Sequence, residues 1–389
     1  MSFYTFLESA YRSLAYGLAW IVAFFANIGL MPNKLCTEPV VFVSEDCYQI
    51  IWETSQPSAA WVEVDGQIFT DHVAGLIRWE EKVHKVDIPM QALDDAGGYT
   101  IHYQHIIAKM QAFDINQLKG KEISKRYDFR PIDFSDGLQI YNISDNHSAL
   151  SPADQVARYW GDDLDLLILN GDIMNDAHLP HYLNDVIKLA SAVTGGTRPV
   201  LYARGNHDVR GGYAAPLGRW VGAPSEDRYY FTTRIGPLWI AVFDAGEDNA
   251  DSGDGYYGMI DFAAYREKQT AYFENVVAHA AEEFDAPGIE YRLLVSHMPV
   301  GDTREAYQQV HQAWKALANQ MKLDLALHGH THQAEYYPAG EYNGQNYPII
   351  IGSRPGAQFI GTAVEFAGGK ITAWFTGINH QITREINIG

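Results

Sequence analysis

The sequence predicts a layered α/β domain preceded by a small all-β sandwich and an apolar N-terminal helix. From residue 137 onward, short apolar runs typical of strands alternate with longer helical patterns. Residues 37–113 instead contain only short β-type runs separated by turn residues. Residues 14–31 are apolar and uncharged. We therefore divide the chain into an N-terminal helix or anchor (1–36), a β-sandwich (37–113), a linker (114–136) and a C-terminal α/β domain (137–389).

Length and charge limit the classes of protein to which the chain can belong. Its 389 residues are enough for two domains. The net charge of −20 argues against a general nucleic-acid surface. An anionic substrate would need local positive charge, which bound metal ions provide. Nothing in the sequence predicts an oligomeric state.

The apolar stretch over residues 14–31 leaves three alternatives open. A membrane-spanning helix needs roughly 20 apolar residues, so this stretch is near the lower limit. One charge on each side, Arg12 and Lys34, predicts no orientation. The stretch is a membrane anchor, an apolar helix docked on the protein, or a cleaved secretory signal. Membrane contact through these residues would anchor the protein; otherwise we expect it in the cytoplasm.

The segment before residue 137 carries no cluster of ligand-type side chains. Short β-type runs with turns at residues 56–58, 65–66 and 94–98 predict a small β-sandwich over 37–113, which we interpret as a packing or orienting module. Four basic residues, Lys119, Lys121, Lys125 and Arg126, favour a solvated connector over 114–136.

Helical patterns cover residues 152–160, 179–193, 262–284 and 305–321, and the tail over 347–388 is strand-rich. Ser151 is a plausible cap for the first helix, with Pro152 at its first position. The glycine-rich phosphate fingerprint of dinucleotide-binding folds is absent after the early strands.

Five short polar clusters each follow an apolar, strand-like run: residues 145–147, 171–175, 205–208, 296–297 and 329–332. Because ligands gather at the carboxyl ends of strands in open α/β sheets, we expect these clusters to meet at one edge. Their Asp, Asn and His side chains suit divalent Zn, Mn or Fe. Two such ions about 3.5–4 Å apart form a clamp for in-line attack on phosphorus.

The order D-x-H, GD-x-x-N, G-N-H-D, H, G-H-x-H resembles the calcineurin-like metallophosphoesterase superfamily over roughly residues 137–335. The resemblance implies a four-layer αββα sandwich, two divalent metal ions and a small-molecule phosphoester substrate. It assigns Asp145, His147, Asp172 and His332 to one ion. It assigns Asp172, Asn206, His297 and His330 to the other, so that Asp172 bridges both. A hydroxide held between the ions would attack phosphorus, with Asn206 helping to neutralise the phosphoryl oxygens and His207 assisting the leaving group.

Two branches of the superfamily sharpen this expectation. The β-sandwich and residues 243–248 are similar to bacterial relatives of the purple acid phosphatases, which carry an N-terminal fibronectin-like module. Those enzymes use a tyrosinate ligand where this chain has Asn175, and they lack a ligand at the position of His147. The purple chromophore is therefore not expected here.

Serine/threonine protein phosphatases resemble the chain at residues 204–207, but they carry an Asp-Arg pair where this chain has Asn175 and Asp176. Both departures favour a less charged substrate, such as a phosphodiester, over a phosphomonoester. The alternative outside the enzymes is a metal-free binding scaffold. Such a protein would have lost metal-ligand residues from its sequence. Candidate substrate contacts are Arg210, His178 and Arg354.

Overall fold

The structure, a computed structural model, describes residues 3–27, 32–107, 119–253, 258–301, 307–356 and 358–389. Within these residues the α-helices are α1 Phe3–Asn27, α2 Met90–Ala96, α3 Leu150–Ala157, α4 Asn184–Thr194, α5 Phe262–Ala278 and α6 Gln308–Ala318. Short 3₁₀ helices cover Arg158–Asp163, Pro180–Leu183, His207–Val209 and Ala215–Arg219.

The strands before the first cluster are β1 Val40–Ser44, β2 Cys47–Glu53, β3 Ser58–Val64, β4 Gln67–Thr70, β5 His72–Val73, β6 Leu76–Ile77, β7 Val83–Pro89, β8 Gly98–Ile106, β9 Lys119–Asp128 and β10 Leu138–Ile143. The later strands are β11 Leu166–Asn170, β12 Pro199–Ala203, β13 Phe231–Ile235, β14 Leu238–Phe243, β15 Tyr291–Ser296, β16 Leu325–His328, β17 Glu335–Tyr337, β18 Ile349–Ile351, β19 Ile360–Ala367, β20 Lys370–Gly377 and β21 Ile382–Ile388.

Two large sheets form the centre of the fold. One has nine strands in the order β21-β20-β19-β10-β11-β12-β1-β2-β7, and the other has six in the order β13-β14-β15-β16-β18-β17. The strands that precede the clusters pair in parallel: β10 with β11, β11 with β12, and β15 with β16. Neighbouring parallel strands end at the same edge of a sheet, so this pairing places the polar clusters at one edge of each sheet.

Three apolar clusters define four layers. One core lies between the two large sheets and includes Ile140 and Leu293. The second packs α3 and α4 against the outer face of the nine-stranded sheet. The third packs α5 and α6, through Phe273 and Trp314, against the outer face of the six-stranded sheet. The predicted αββα sandwich is confirmed.

The helices lie close to the predicted patterns, with differences at their ends. Helix α5 begins after Asp261, whose side chain accepts a hydrogen bond from the backbone N–H of Ala264. Helix α4 ends at Gly195, which adopts the left-handed conformation that favours glycine. Helix α3 begins at Leu150, so Ser151 lies inside the first turn and is not the predicted cap.

The N-terminal strands differ from the predicted separate sandwich. Strands β1, β2 and β7 extend the nine-stranded sheet, because β1 pairs in parallel with β12. Strands β4, β3, β8 and β9 form a separate four-stranded sheet. Its apolar face packs into the central core through Val62 and Tyr99. These strands do form a sandwich, but one of its two sheets is the nine-stranded sheet of the central fold. A self-contained fibronectin-like module over residues 37–113 is therefore not supported.

Part of the predicted linker is also a strand. Residues 119–128 form β9, which pairs with β8 along most of its length. Residues 108–118, which include the end of the predicted sandwich and the start of the linker, lie outside the described residues.

Helix α1 covers most of the apolar stretch, while residues 28–31 lie outside the described residues. Its apolar side chains are extensively exposed; Leu14, Trp20 and Phe24 are examples. Among the described residues, none of the helices combines the length and hydropathy needed to cross a membrane. Contact of residues 14–31 with a membrane stays a prediction.

Candidate metal centre

The five polar clusters lie at the carboxyl ends of strands from both large sheets. Residues 145–147 follow β10, residues 171–175 follow β11, and residues 205–208 follow β12. From the six-stranded sheet, His297 follows β15, and residues 329–332 follow β16. Backbone hydrogen bonds join the clusters: the N–H of His147 donates to the carbonyl of Asp172, and the N–H of Gly329 donates to that of His297.

Several of the clustered side chains sit on left-handed backbone. Asp145, His147, Asp172, His330 and His332 have φ between 43° and 73°. Non-glycine residues rarely adopt this conformation, and such residues gather at functional sites where the surrounding structure enforces them. The tight turns aim consecutive side chains into the same space. Residue type and spacing do not indicate this feature.

The first group of potential ligands is Asp145, His147 and His332, whose ligand atoms lie within 4.8 Å of one another. The Nε2 atoms of His147 and His332 face each other at 3.0 Å. Asp145 is buried, and its carboxylate accepts hydrogen bonds from the hydroxyl of Ser144 at 2.6 Å and from the backbone N–H of His330 at 3.0 Å. The carboxylate is thus fixed on one side while facing the two imidazoles.

The second group is Asp172, His297 and His330, again within 4.8 Å. His297 is buried, and its Nδ1 donates to the backbone carbonyl of Asn170 at 2.7 Å, which turns Nε2 toward Asp172 Oδ2 at 3.1 Å. Asn206 joins this group through its Oδ1, which lies 3.0 Å from His330 Nδ1. Asp172 also belongs to a third group, with His147 and His207. It therefore lies between the two predicted metal positions.

His207 lies beside both groups, its ring centroid 4.5 Å from that of His147. Its Nδ1 is 2.7 Å from the backbone carbonyl of Asn175, so Nδ1 carries the hydrogen and donates it. Its Nε2 is 2.8 Å from Nη1 of Arg210 and accepts a hydrogen bond from it. This contact uses the backbone oxygen of Asn175, whose side-chain amide donates to Asp176.

Asp208 organises the loops around Asp172, a role that sequence analysis missed. Its buried carboxylate accepts from the backbone N–H groups of Asp172 at 3.1 Å and Gly205 at 2.9 Å, and from the hydroxyl of Tyr202 at 2.9 Å. Its only signal in the sequence is its place at the end of Gly-Asn-His-Asp. Gly205 lies so close to Asp172 that no larger residue fits there, because a Cβ atom would collide with the carboxylate and backbone nitrogen of Asp172.

The pKa values of the buried acidic and histidine side chains at the site depend on one another. Burial raises the pKa of Asp145 to about 7, and the charge of Asp172 adds to the shift. Burial disfavours the charged forms of Asp172 and His297 as well, but their mutual attraction outweighs it. The pKa of Asp172 is held below its ordinary value, and that of His297 is raised to about 10. Without metal ions, a protonated His297 thus compensates the buried charge of Asp172.

These residues fit divalent metal ions. The Nε2 atoms of His147 and His332 face each other at 3.0 Å, and Oδ1 of Asp145 lies 3.5 Å from Nε2 of His332. These three ligand atoms converge on one point. The Nε2 of His297 is buried and 3.1 Å from Asp172 Oδ2, yet it makes no properly oriented hydrogen bond. A divalent ion would replace the proton of His297 as the compensating charge.

The three predicted substrate contacts differ in their surroundings. Arg210 makes a two-point ion pair with Glu247 in addition to its contact with His207. His178 is exposed and pairs with the carboxylate of Asp176. Arg354 is exposed on a loop tied to the first cluster, where Ser353 accepts a hydrogen bond from the N–H of Ser144 at 2.9 Å. All three positions stay predictions as substrate contacts.

Several solved structures align with this chain at low sequence identity. A purple acid phosphatase, PPD1, from yellow lupin seeds aligns with a TM-score of 0.59 and 12% identity over 90% of this chain and 74% of that one. PhoD aligns with a TM-score of 0.48 and 9% identity over 91% and 88% of the two chains. A dimetal phosphatase from Danio rerio aligns with a TM-score of 0.46 and 11% identity over 65% and 99%.

No curated protein sequence matches the chain. The family profile described as calcineurin-like phosphoesterase matches residues 138–334, which is about half of the chain and includes all five clusters. The predicted resemblance is confirmed: the chain belongs to the calcineurin-like phosphoesterase family and is a metal-dependent phosphoesterase.

Proposed function

We propose that the protein hydrolyses phosphodiesters at a centre of two divalent ions that share Asp172. The observation that carries the proposal is the pair of ligand groups at one sheet edge, with Asp172 between them. Asp145, His147 and His332 would hold one ion with Asp172, and Asn206, His297 and His330 would hold the other. When bound, the ions supply a nucleophilic water at neutral pH and neutralise charge on the phosphoryl oxygens.

The protein side chains provide the remaining functions. The buried carboxylate of Asp208 and the backbone N–H of His207, which donates to Asp172 Oδ1 at 2.8 Å, keep the shared carboxylate in place. Asn206 faces the site from the same turn as His207 and is available to the phosphoryl oxygens. His207 assists departure of the alcohol, which requires a proton on Nε2 in the substrate complex.

Charge around the site favours a diester over a monoester. The carboxylate of Asp248 lies 4.0 Å from His330 Nε2, and Asp176 is next to Asn175 on the second cluster. The nearby cation Arg210 is paired with two carboxylates, those of Glu247 and Asp248. A phosphomonoester dianion would meet more repulsion here than a singly charged phosphodiester, because like charges at short range are unfavourable in a partly buried site.

The test compares two chromogenic substrates that share a leaving group. Full-length protein loaded with Mn²⁺ should turn over bis-p-nitrophenyl phosphate with a higher kcat/KM than p-nitrophenyl phosphate. A preference for the monoester would show that the centre acts as a phosphomonoesterase. Absence of turnover on both substrates, with the ions bound, would contradict the proposal.

A further inference from the structure

Glu247 is a buried carboxylate with no place in the two ligand groups. Its side chain is completely buried, and Oε1 accepts hydrogen bonds from the backbone N–H of Asp248 at 3.0 Å and from the side-chain amide of Asn249 at 2.8 Å. Its backbone carbonyl accepts a hydrogen bond from the guanidinium of Arg266, which is itself buried. Glu247 is therefore held rigidly on the segment that follows β14.

This carboxylate orients Arg210. Nε and Nη2 of the guanidinium donate to the two oxygens of Glu247, both at 2.9 Å, and Nη2 also donates to Asp248 at 2.9 Å. Paired donors on a planar guanidinium match a carboxylate in both distance and direction. The two-point contact fixes the plane of the guanidinium and hence the direction in which the third nitrogen, Nη1, points.

That third nitrogen donates to Nε2 of His207 at 2.8 Å. The opposite edge of the imidazole is held by the backbone carbonyl of Asn175 at 2.7 Å. Contacts on both ring nitrogens fix the rotation of the ring, and without substrate they place the hydrogen on Nδ1 and the lone pair on Nε2. A proton that reaches Nε2 in the substrate complex ends the contact with Nη1, while the carbonyl of Asn175 still holds Nδ1–H. Arg210 is anchored to both neighbouring loops, since its N–H donates to the carbonyl of His207 and its carbonyl accepts from the N–H of Ala177.

We infer that Arg210 is a positioning residue for His207 and that Glu247 acts through Arg210. The inference rests on the proposed function for its effect on turnover, but the arrangement of the ring can be measured without turnover. In this inference Arg210 positions His207 and does not contact the substrate directly. A site 1 Å out of place can cost about 10²-fold in rate, so loss of this orientation should lower kcat by about that factor with little change in KM.

The first measurement is spectroscopic. Full-length protein labelled with ¹⁵N-histidine, studied after metal removal and after loading with diamagnetic Zn²⁺, should show His207 in the Nδ1–H form, with the signal assigned through His207→Ala. Arg210→Gln should shift or broaden that signal, and Glu247→Gln should do so as well. Arg219→Gln is the matched control, because Arg219 also pairs with a buried carboxylate, Asp71, outside the five clusters. An unchanged His207 signal in Arg210→Gln would overturn the inference.

The second measurement is a double-mutant cycle on bis-p-nitrophenyl phosphate. If Arg210 acts through His207, Arg210→Gln should lower kcat in the wild-type background and cause no further loss in His207→Ala. Arg210→Lys should behave like Arg210→Gln, since one ammonium cannot pair with Glu247 at two points and reach His207. A further loss in the His207→Ala background, with a higher KM, would instead show direct substrate contact. Failure of the wild type to turn over would contradict the proposed function and leave the spectroscopic test to decide the positioning role.

Discussion

Asp208 offers a quantitative test of how the loops around the site are held. Oδ2 accepts three hydrogen bonds, from Asp172 N, Gly205 N and the Tyr202 hydroxyl, at 2.9–3.1 Å, and Oδ1 accepts a weaker one from Met174 N at 3.4 Å. Asp208→Ala would leave the three donors unsatisfied in a buried site. At about 1–1.5 kcal/mol for each, the free energy of unfolding should fall by about 4 kcal/mol.

Asp208→Asn separates the hydrogen bonds from the charge. The amide oxygen can take the place of Oδ2 and keep the three short bonds, while its NH₂ group faces the N–H of Met174. We expect a loss of about 1–2 kcal/mol. Asp136→Ala, at an exposed carboxylate, should change stability by less than about 0.5 kcal/mol.

The assay is urea denaturation of metal-free, full-length protein followed by circular dichroism. Equal effects of Asp208→Ala and Asp208→Asn, or a loss below about 1 kcal/mol for Asp208→Ala, would refute the reasoning. Such a result would mean that the donors find other partners when the carboxylate is removed.

Three further predictions follow from the site. Chelation of the ions should lower the midpoint of thermal unfolding, and adding back Mn²⁺ should restore it, because ions that bind only the folded state stabilise it; no change on chelation would argue against ion binding. Gly205→Ala should lower both metal content and activity, since the new Cβ would collide with Asp172; wild-type metal content would contradict the close approach. Active protein should lack a strong visible charge-transfer band, because Asn175 stands where purple acid phosphatases have a tyrosinate; a purple protein would show a different ligand set.

The layered fold and the meeting of the five clusters could be predicted because both depend on local pattern. Each cluster follows a short apolar run, and parallel strands end at a common edge. The fate of the N-terminal strands could not be predicted in this way. The pairing of Val41 with Pro199 joins residues far apart in sequence, and alternation of apolar residues does not encode the partner strand.

Side-chain partners within the site were harder still to predict. Residue types identified His207 and Arg210 as candidates, but the ion pair with Glu247 depends on the path of the segment after β14. Asp172 and His330 likewise have a left-handed backbone that the sequence does not predict, because aspartate and histidine adopt this conformation more often than most residues but still only in a small minority of cases.

The most direct test of the shared metal centre is the metal content of purified variants, measured by elemental analysis alongside turnover of bis-p-nitrophenyl phosphate. Wild-type protein should bind about two ions per chain. Asp172→Ala should lose activity and most of the metal from both positions, whereas His332→Ala should retain about one ion because His332 belongs to only one group. An Asp172→Ala protein that still binds two ions with near-normal turnover would contradict the account.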